Sequence, residues 1–381
     1  MSMPLRFTSG PIFATFYLSM HRRTRRIIFY SLVLAFTFAG PLLVAYSFGY
    51  TFNLSTVSFE PAGGIFIKSA TPRLAVFLDG VFVQETGLIT GSTILSDLRP
   101  GPHLVRLEKI GFRPWSKTVM VEPTEVTELR SVMLIPYEIA AATSTPIEFE
   151  AARATTTSPE VLTLDPKGNL IAGRGSAARK IAENVHSFAS IGDAVLFVAR
   201  SGFLGRFTPS TREFATLGRP GFFLDKKPLR FIPGGEFAAV IDSSGGLFIY
   251  NETDGTIEPV ASGVKDVSFD STQEKLLMFK ERTVEILRLR DNPRQPFQQK
   301  GMIETIVAES QLIRGAQWFY ATNAHIVYRT AEGIFLTEID GRGGRNTAEL
   351  VSGRTNEVLT SSSLPNTIFY KIGKAVYKIE L

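Results

Sequence analysis

Cysteine is absent from all 381 residues, so disulfides, thiolate metal sites and thiol nucleophiles are excluded together. Histidine is scarce: His21, His103, His186 and His325 are the whole set. No two stand at helical or hairpin ligand spacing and none sits in an HExxH-like frame, so each reads as an ordinary strand, turn or tail residue. The Gly-x-Ser-x-Gly pentapeptide of a nucleophile elbow does not occur, and no α/β region is evident to carry one. With no residues to assign to metal ligation, cofactor binding or catalysis, the expectation is a protein that is not an enzyme and holds no cofactor.

Charge is missing from one long stretch. Nothing from Ile27 to Phe59 is Asp, Glu, Lys or Arg, and the 24 residues 27–50 are almost wholly apolar. As a helix they would run roughly 36 Å, enough to cross a hydrocarbon core of about 30 Å. Ile27, Leu32, Leu34 and Leu43 exemplify this membrane anchor, Gly40-Pro41 marks a tolerated kink, and Tyr46 and Tyr50 suit the outer aromatic belt. A cleaved secretory signal would have an apolar core of about 7–15 residues. This run is longer, and only Ala45-Tyr46-Ser47 offers small residues at cleavage spacing, so a retained anchor is expected. The earlier apolar stretch 11–20 is too short to span and is expected on the inner membrane surface.

Arg22, Arg23, Arg25 and Arg26 lead straight into the span. With Arg6 they are all of the Lys, Arg, Asp and Glu in residues 1–26, so the rest of the chain balances 36 basic against 36 acidic side chains and the net +5 belongs to the flank. Basic residues beside a span are retained in the cytoplasm. The chain is therefore expected as a single-pass protein of the cell membrane, N-terminus in and C-terminus out, with no nucleic-acid partner.

Beyond the anchor, 63–134 shows short, alternating, β-branched and aromatic runs split by turn residues, the pattern of an all-β module. Asp79-Gly80 between Leu74–Leu78 and Val81–Val83 is a strong two-residue hairpin signal, and Arg99-Pro100-Gly101 marks a second turn before an alternating strand at 103–109. Residues 138–160 turn to Ala, Thr and Ser, which reads as a linker with one short strand at Ile147–Phe149. After it, similar units recur every 35–50 residues or so, at 231–255, 267–287, 333–341 and 367–381. The last stops after two strands, so a strand from the start of the region is expected to complete it and close the ring.

Two families are resembled at these residues. The run Gly64-Ile65-Phe66-Ile67, Ala75-Val76-Phe77-Leu78-Asp79-Gly80, Pro100-Gly101-Pro102-His103 and Gly111-Phe112 with Trp115 resembles the PEGA family of small extracytoplasmic β-sandwiches. The family's four-letter motif is missing, since Ala70-Thr71-Pro72-Arg73 stands in its place. The resemblance implies a binding or spacer module of envelope proteins without chemistry of its own. The later units are similar to WD-like and TolB-like β-propeller blades in rhythm, without the Trp-Asp and Gly-His dipeptides.

The expected architecture is an all-β outer part, a PEGA-like sandwich followed by a propeller of about six blades, preceded by one transmembrane helix. Its boundaries are a basic cytoplasmic tail at 1–26, the span at 27–50, the sandwich at 60–136, a linker or first strand at 137–160 and the propeller at 161–381. Remaining motifs read as turns: Gly341-Arg342-Gly343-Gly344-Arg345 as a mobile hairpin tip, Arg288, Arg290 and Arg294 as neighbours of loop prolines, and Asp242, Asp254, Asp266, Asp270 and Asp340 as turn formers. The expected role is an extracytoplasmic binding or scaffold protein whose propeller loops engage an envelope protein or polysaccharide. The alternatives are a propeller glycosidase or lyase, which needs carboxylates converging within about 5–10 Å, and a sensor that signals through a membrane partner.

Overall fold

Residues 22–53, 58–153, 162–173, 178–191, 194–218 and 229–381 are described by the computed structural model. The tail at 1–21, with its apolar stretch 11–20, and the Ala/Thr/Ser-rich 154–161 lie outside them.

The first element is helix α1, Arg22–Ser47, none of whose side chains is buried. It starts earlier and ends sooner than 27–50. Gly49, at φ +79°, turns the chain out of the helix after the Phe48 N–H has bonded back to the Val44 carbonyl at 3.1 Å, the usual role of glycine at a helix C-terminus. The charge-free part, Ile27 to Ser47, is about 32 Å long and fits a hydrocarbon core of about 30 Å more closely than the longer estimate. Among the described residues this is the one helix long and apolar enough to cross a membrane.

A hairpin of β1 (Tyr50–Asn53) and β2 (Ser58–Pro61) leads into the sandwich. The sandwich strands are β3 (Gly63–Ser69), β4 (Ala75–Leu78), β5 (Val81–Glu85), β6 (Ser92–Leu98), β7 (Gly101–Glu108), β8 (Trp115–Val121) and β9 (Val126–Val132). They form one sheet in the order β6-β3-β9, with β3 and β9 parallel, and one in the order β5-β4-β7-β8. Period-two alternation sends Ile65, Ile67, Val105, Leu107, Val119 and Val121 into the shared core. Asp79 and Gly80 both adopt positive φ, as the tight β4–β5 turn requires.

No strand forms at Ile147–Phe149. The chain makes strand β10 (Ala141–Ser144) and then helix α2 (Pro146–Arg153). The sequence Thr145-Pro146-Ile147-Glu148 is a capping box: the Glu148 N–H donates to Thr145 Oγ1 at 3.1 Å and the Thr145 N–H reaches back to the Glu148 carboxylate at 3.4 Å. Proline at the first helical position adds to it. Burial of Phe149 and Ala152 against Leu359, Phe369 and Val376 then fixes the helix. Replacing Thr145 with Ala is expected to cost about 1 kcal/mol, read as faster amide exchange confined to 146–153.

Six antiparallel sheets follow in chain order, five of four strands and the first of three. The first occupies 162–182, and the others start at Val185, Arg230, Asp266, Gly315 and Glu357. Consecutive sheets share apolar clusters, as where Leu170 of the first meets Val185, Val195 and Phe197 of the second. This is the propeller-like arrangement expected, with one revision. The last unit contributes three strands, beginning at Glu357 rather than near Thr367, and β10 pairs with Ala375–Glu380 to make the fourth. Glu357–Ser361 is short and half polar, which hid it from a hydropathy reading.

Candidate functional site

The sandwich and the propeller meet along β8 and β9, and the contact is polar, buried and specific. Strand β8 alternates so that Trp115, Lys117, Val119 and Val121 face one way. Lys117 thus points into the molecule, with its side chain fully out of solvent. It meets Glu338 of the fifth sheet at 2.7 Å and donates to the Asp340 carbonyl at 2.7 Å. Glu338 also accepts from Trp115 Nε1 at 3.3 Å and from the Asn346 backbone and side-chain amides at 2.8 and 2.9 Å. A buried ion pair is tolerable only when its remaining valences are satisfied in this way.

Strand β9 is the edge of its sheet, and an edge strand leaves backbone groups unpaired. Propeller side chains take them up. The Gln295 amide accepts from the Glu128 N–H at 3.0 Å and donates to the Val126 carbonyl at 3.1 Å. Arg342 donates to the Glu128 carbonyl at 2.6 Å while pairing with Asp340 at 2.7 Å. The loop 341–345 is therefore not a mobile tip: Gly343, at φ +62°, lies so close to β8 that a Cβ would overlap the Thr118 carbonyl oxygen, and Arg345 pairs with Glu304.

Next to this seam lies a cleft of about 320 Å³ between β9 and the fourth and fifth sheets. Its carboxyls are mostly neutralised. The bidentate Arg130 holds the Glu128 carboxyl below its usual range, and Asp340, which burial alone would push up, is held down by Arg342 with help from Lys117. His325, buried and next in the chain to the cleft residue Ala324, has Thr322 Oγ1 2.9 Å from its Nδ1 and is pushed down to about 4 by burial first and then by the Lys117 charge, so it is neutral near pH 7. Among the described residues no three His, Asp or Glu side chains group as a metal site would need.

The residues singled out in the sequence fall in three places. Arg22, Arg23, Arg25 and Arg26 make the exposed first turn of α1, followed by Ile27, Leu32, Leu34, Pro41, Leu43 and Tyr46 along it, whereas Tyr50 opens β1 and is not part of the span. Asp79, Gly80, Pro100, Gly101 and His103 gather at one end of the sandwich, with Gly111 at the turn before β8. Trp115 alone among them reaches the seam. Lys117, Gln295, Glu338 and Asn346 went unrecognised; a lysine on the apolar face of an alternating strand was the one visible sign.

At the sandwich's end His103 stands between two acceptors, with Nδ1 2.7 Å from the Asp79 carboxylate and Nε2 2.8 Å from the Arg99 carbonyl. Both nitrogens need a proton to satisfy both acceptors. Burial lowers the His103 pKa, but the Arg99 carbonyl and then Asp79 outweigh it and the net shift is upward; Asp79 in turn is lowered, chiefly by the His103 hydrogen bond. Stability from a raised histidine is present below pH 6.5 and lost as pH rises through the folded pKa. The depressed His325 works oppositely, losing stability as pH falls from 6.5 toward about 4. Thermal midpoints are thus expected to peak near pH 6.5. His103→Gln should flatten the alkaline side by less than about 1 kcal/mol, since Asp79 is half exposed, and His325→Gln the acidic side. A wild-type profile flat from pH 5 to 8 would contradict both assignments.

Residues 62–133 match the PEGA domain, in agreement with the resemblance carried by the hairpin, turn and Trp115. No curated protein matches the chain. Among solved structures it is similar to the tricorn protease, at 11% identity and a TM-score of 0.42 over 77% of this chain and 34% of that one. It is similar also to YCF48 from Cyanidioschyzon merolae, at 10% identity and 0.39 over 59% of this chain and 78% of that one. PorZ of Porphyromonas gingivalis, a surface component of a type-IX secretion system, overlaps at 16% identity and 0.36 over 59% of this chain and 32% of its own. The chain spans about a third of the tricorn protease. Overlaps this loose add nothing to what the six sheets already give.

Proposed function

We propose that the chain is a single-pass membrane protein, its basic flank in the cytoplasm and its PEGA domain and propeller outside, forming a platform that binds an envelope protein or polysaccharide through the cleft and the propeller loops. The observation that carries this reading is the continuity of the three parts. The Gly49 carbonyl at the end of α1 accepts from the Ala62 N–H at 2.7 Å, and the Ala62 carbonyl accepts from Thr124 at 2.9 Å, so the sandwich sits directly on the helix end. At its other side the Lys117–Glu338 clamp holds the propeller. A platform fixed to a surface raises its effective concentration toward partners on the same surface without new contacts. Three of the cleft's four carboxyls, Glu128, Glu338 and Asp340, are paired with cations, which favours binding over acid catalysis, a reaction that calls for a carboxyl with a raised pKa.

The test has two parts. A tag after Leu381 should be reachable by an impermeant label on intact cells, and the full chain taken from detergent-solubilised envelope should recover a partner on crosslinking. A tag reachable only after lysis would remove the topology, and enzymatic turnover of an envelope polysaccharide by the purified chain would replace binding with catalysis.

A further inference from the structure

Charges around the cleft are largely accounted for. Arg130 grips Glu128, Arg342 holds Asp340, and Lys275 contacts Asp270 and the Asn323 carbonyl. Arg288 differs. It ends the strand Thr283–Arg288, lines the cleft and is half-buried, yet among the described residues no hydrogen bond or ion pair reaches its guanidinium. Glu304, which attracts it electrostatically, is engaged by Arg345 and Gln298. Arg294 lines the same cleft, exposed, and among the described residues its guanidinium also makes no hydrogen bond or ion pair.

A guanidinium that has lost part of its water and gained no fixed partner is costly to keep. Its planar fork matches the two oxygens of a carboxylate or phosphate. We propose that the cleft binds an oxyanion, a carboxylate or phosphate borne on one unit of a ligand, with Arg288 as its fork and Arg294 at the mouth. The volume, near the lower end of the roughly 300–1,000 Å³ of small-molecule pockets, suits a single sugar or amino-acid unit. Glu274, a cleft residue whose carboxylate makes no hydrogen bond or ion pair among the described residues, attracts Arg288 electrostatically and is the internal counter-charge that a bound oxyanion must compete with.

This assignment deepens the binding reading and rests on the cleft being its site. The test uses the full chain in detergent at low ionic strength, titrated with acetate and with inorganic phosphate, with chloride as control, and followed by thermal midpoint and calorimetry. One or both oxyanions should bind saturably where chloride does not. Arg288→Met should weaken that binding by about tenfold or more, the scale of a charge-assisted hydrogen bond, while Glu274→Gln should tighten it a few-fold. Without oxyanion, Arg288→Met should melt no lower than the wild type, because its guanidinium has no partner to lose. Equal responses in wild type and Arg288→Met, or no discrimination from chloride, would overturn the assignment, as would a lowered midpoint of Arg288→Met in anion-free buffer. The broader reading fails separately: Arg288→Met that still recovers the wild-type partner, when neither protein binds oxyanion, sinks this assignment and leaves the platform intact.

Discussion

Lys117→Met is expected to lower the stability of the outer part by about 3–5 kcal/mol, the cost of stranding a buried carboxylate. The Lys117 side chain is 0% exposed and that of Glu338 6%, so solvent cannot replace the lost ammonium. Trp115 and Asn346 would go on donating to Glu338, yet no positive charge would remain against it. Adding Glu338→Gln should recover most of the loss, because the seam then buries no net charge. Urea unfolding of the solubilised chain measures both, and proteolysis of the 133–141 connection reports whether the domains separate. By contrast, the solvent-exposed pair Arg106–Glu108 should tolerate Arg106→Ala within about 1 kcal/mol. A Lys117→Met loss no larger than that would show that the seam does not depend on this ion pair.

Gly343→Ala should be nearly as damaging, at about 2–4 kcal/mol, from two causes that act together. The positive φ strains any L side chain, and the added methyl would overlap the Thr118 carbonyl of β8, so the loop must withdraw and carry Arg342 away from β9. Its neighbour is the internal control. Gly344 also has positive φ, +97°, but nothing lies within 4 Å of a Cβ there, so Gly344→Ala should cost only the backbone strain, about 1 kcal/mol. Equal losses at the two positions in the same urea series would mean that the loop does not bear on the sandwich.

The parts of this fold that were legible in the sequence are those set by local rules. A charge vacancy from Ile27 to Phe59 marks a span whatever surrounds it, although only the geometry of Gly49 sets its end. Asp79-Gly80 fixes its hairpin through backbone conformations available to few other pairs. The propeller-like units were visible because period-two patterning survives within each sheet, while the short Glu357–Ser361 and the first sheet at 162–182 carry too little of it. Thr145 to Glu148 has the pattern of a capping box, but the Ala and Thr around it mask the signal and give the segment the look of a linker. The seam was not legible. Lys117 and Glu338 are 221 positions apart, and nothing local to either signals the other. Edge capping of β9 by Gln295 likewise needs the three-dimensional neighbour before it has meaning.

The pairing of β10 with Ala375–Glu380 bears on the order in which the molecule is completed. Synthesis runs from the amino end, so β10 is made roughly 230 residues before its mate, and closing a loop of that length carries an entropic cost that later contacts must repay. During the wait β10 offers a short, small-residue edge, Ala-Ala-Thr-Ser, a poor template for misassociation. Phe149 and Ala152 likewise gain their apolar cover only from Leu359, Phe369 and Val376, all made about 200 residues later. Without Ala375–Glu380, β10 would have no strand through which to join Leu364–Ile372, and the sixth sheet would stay open on that side.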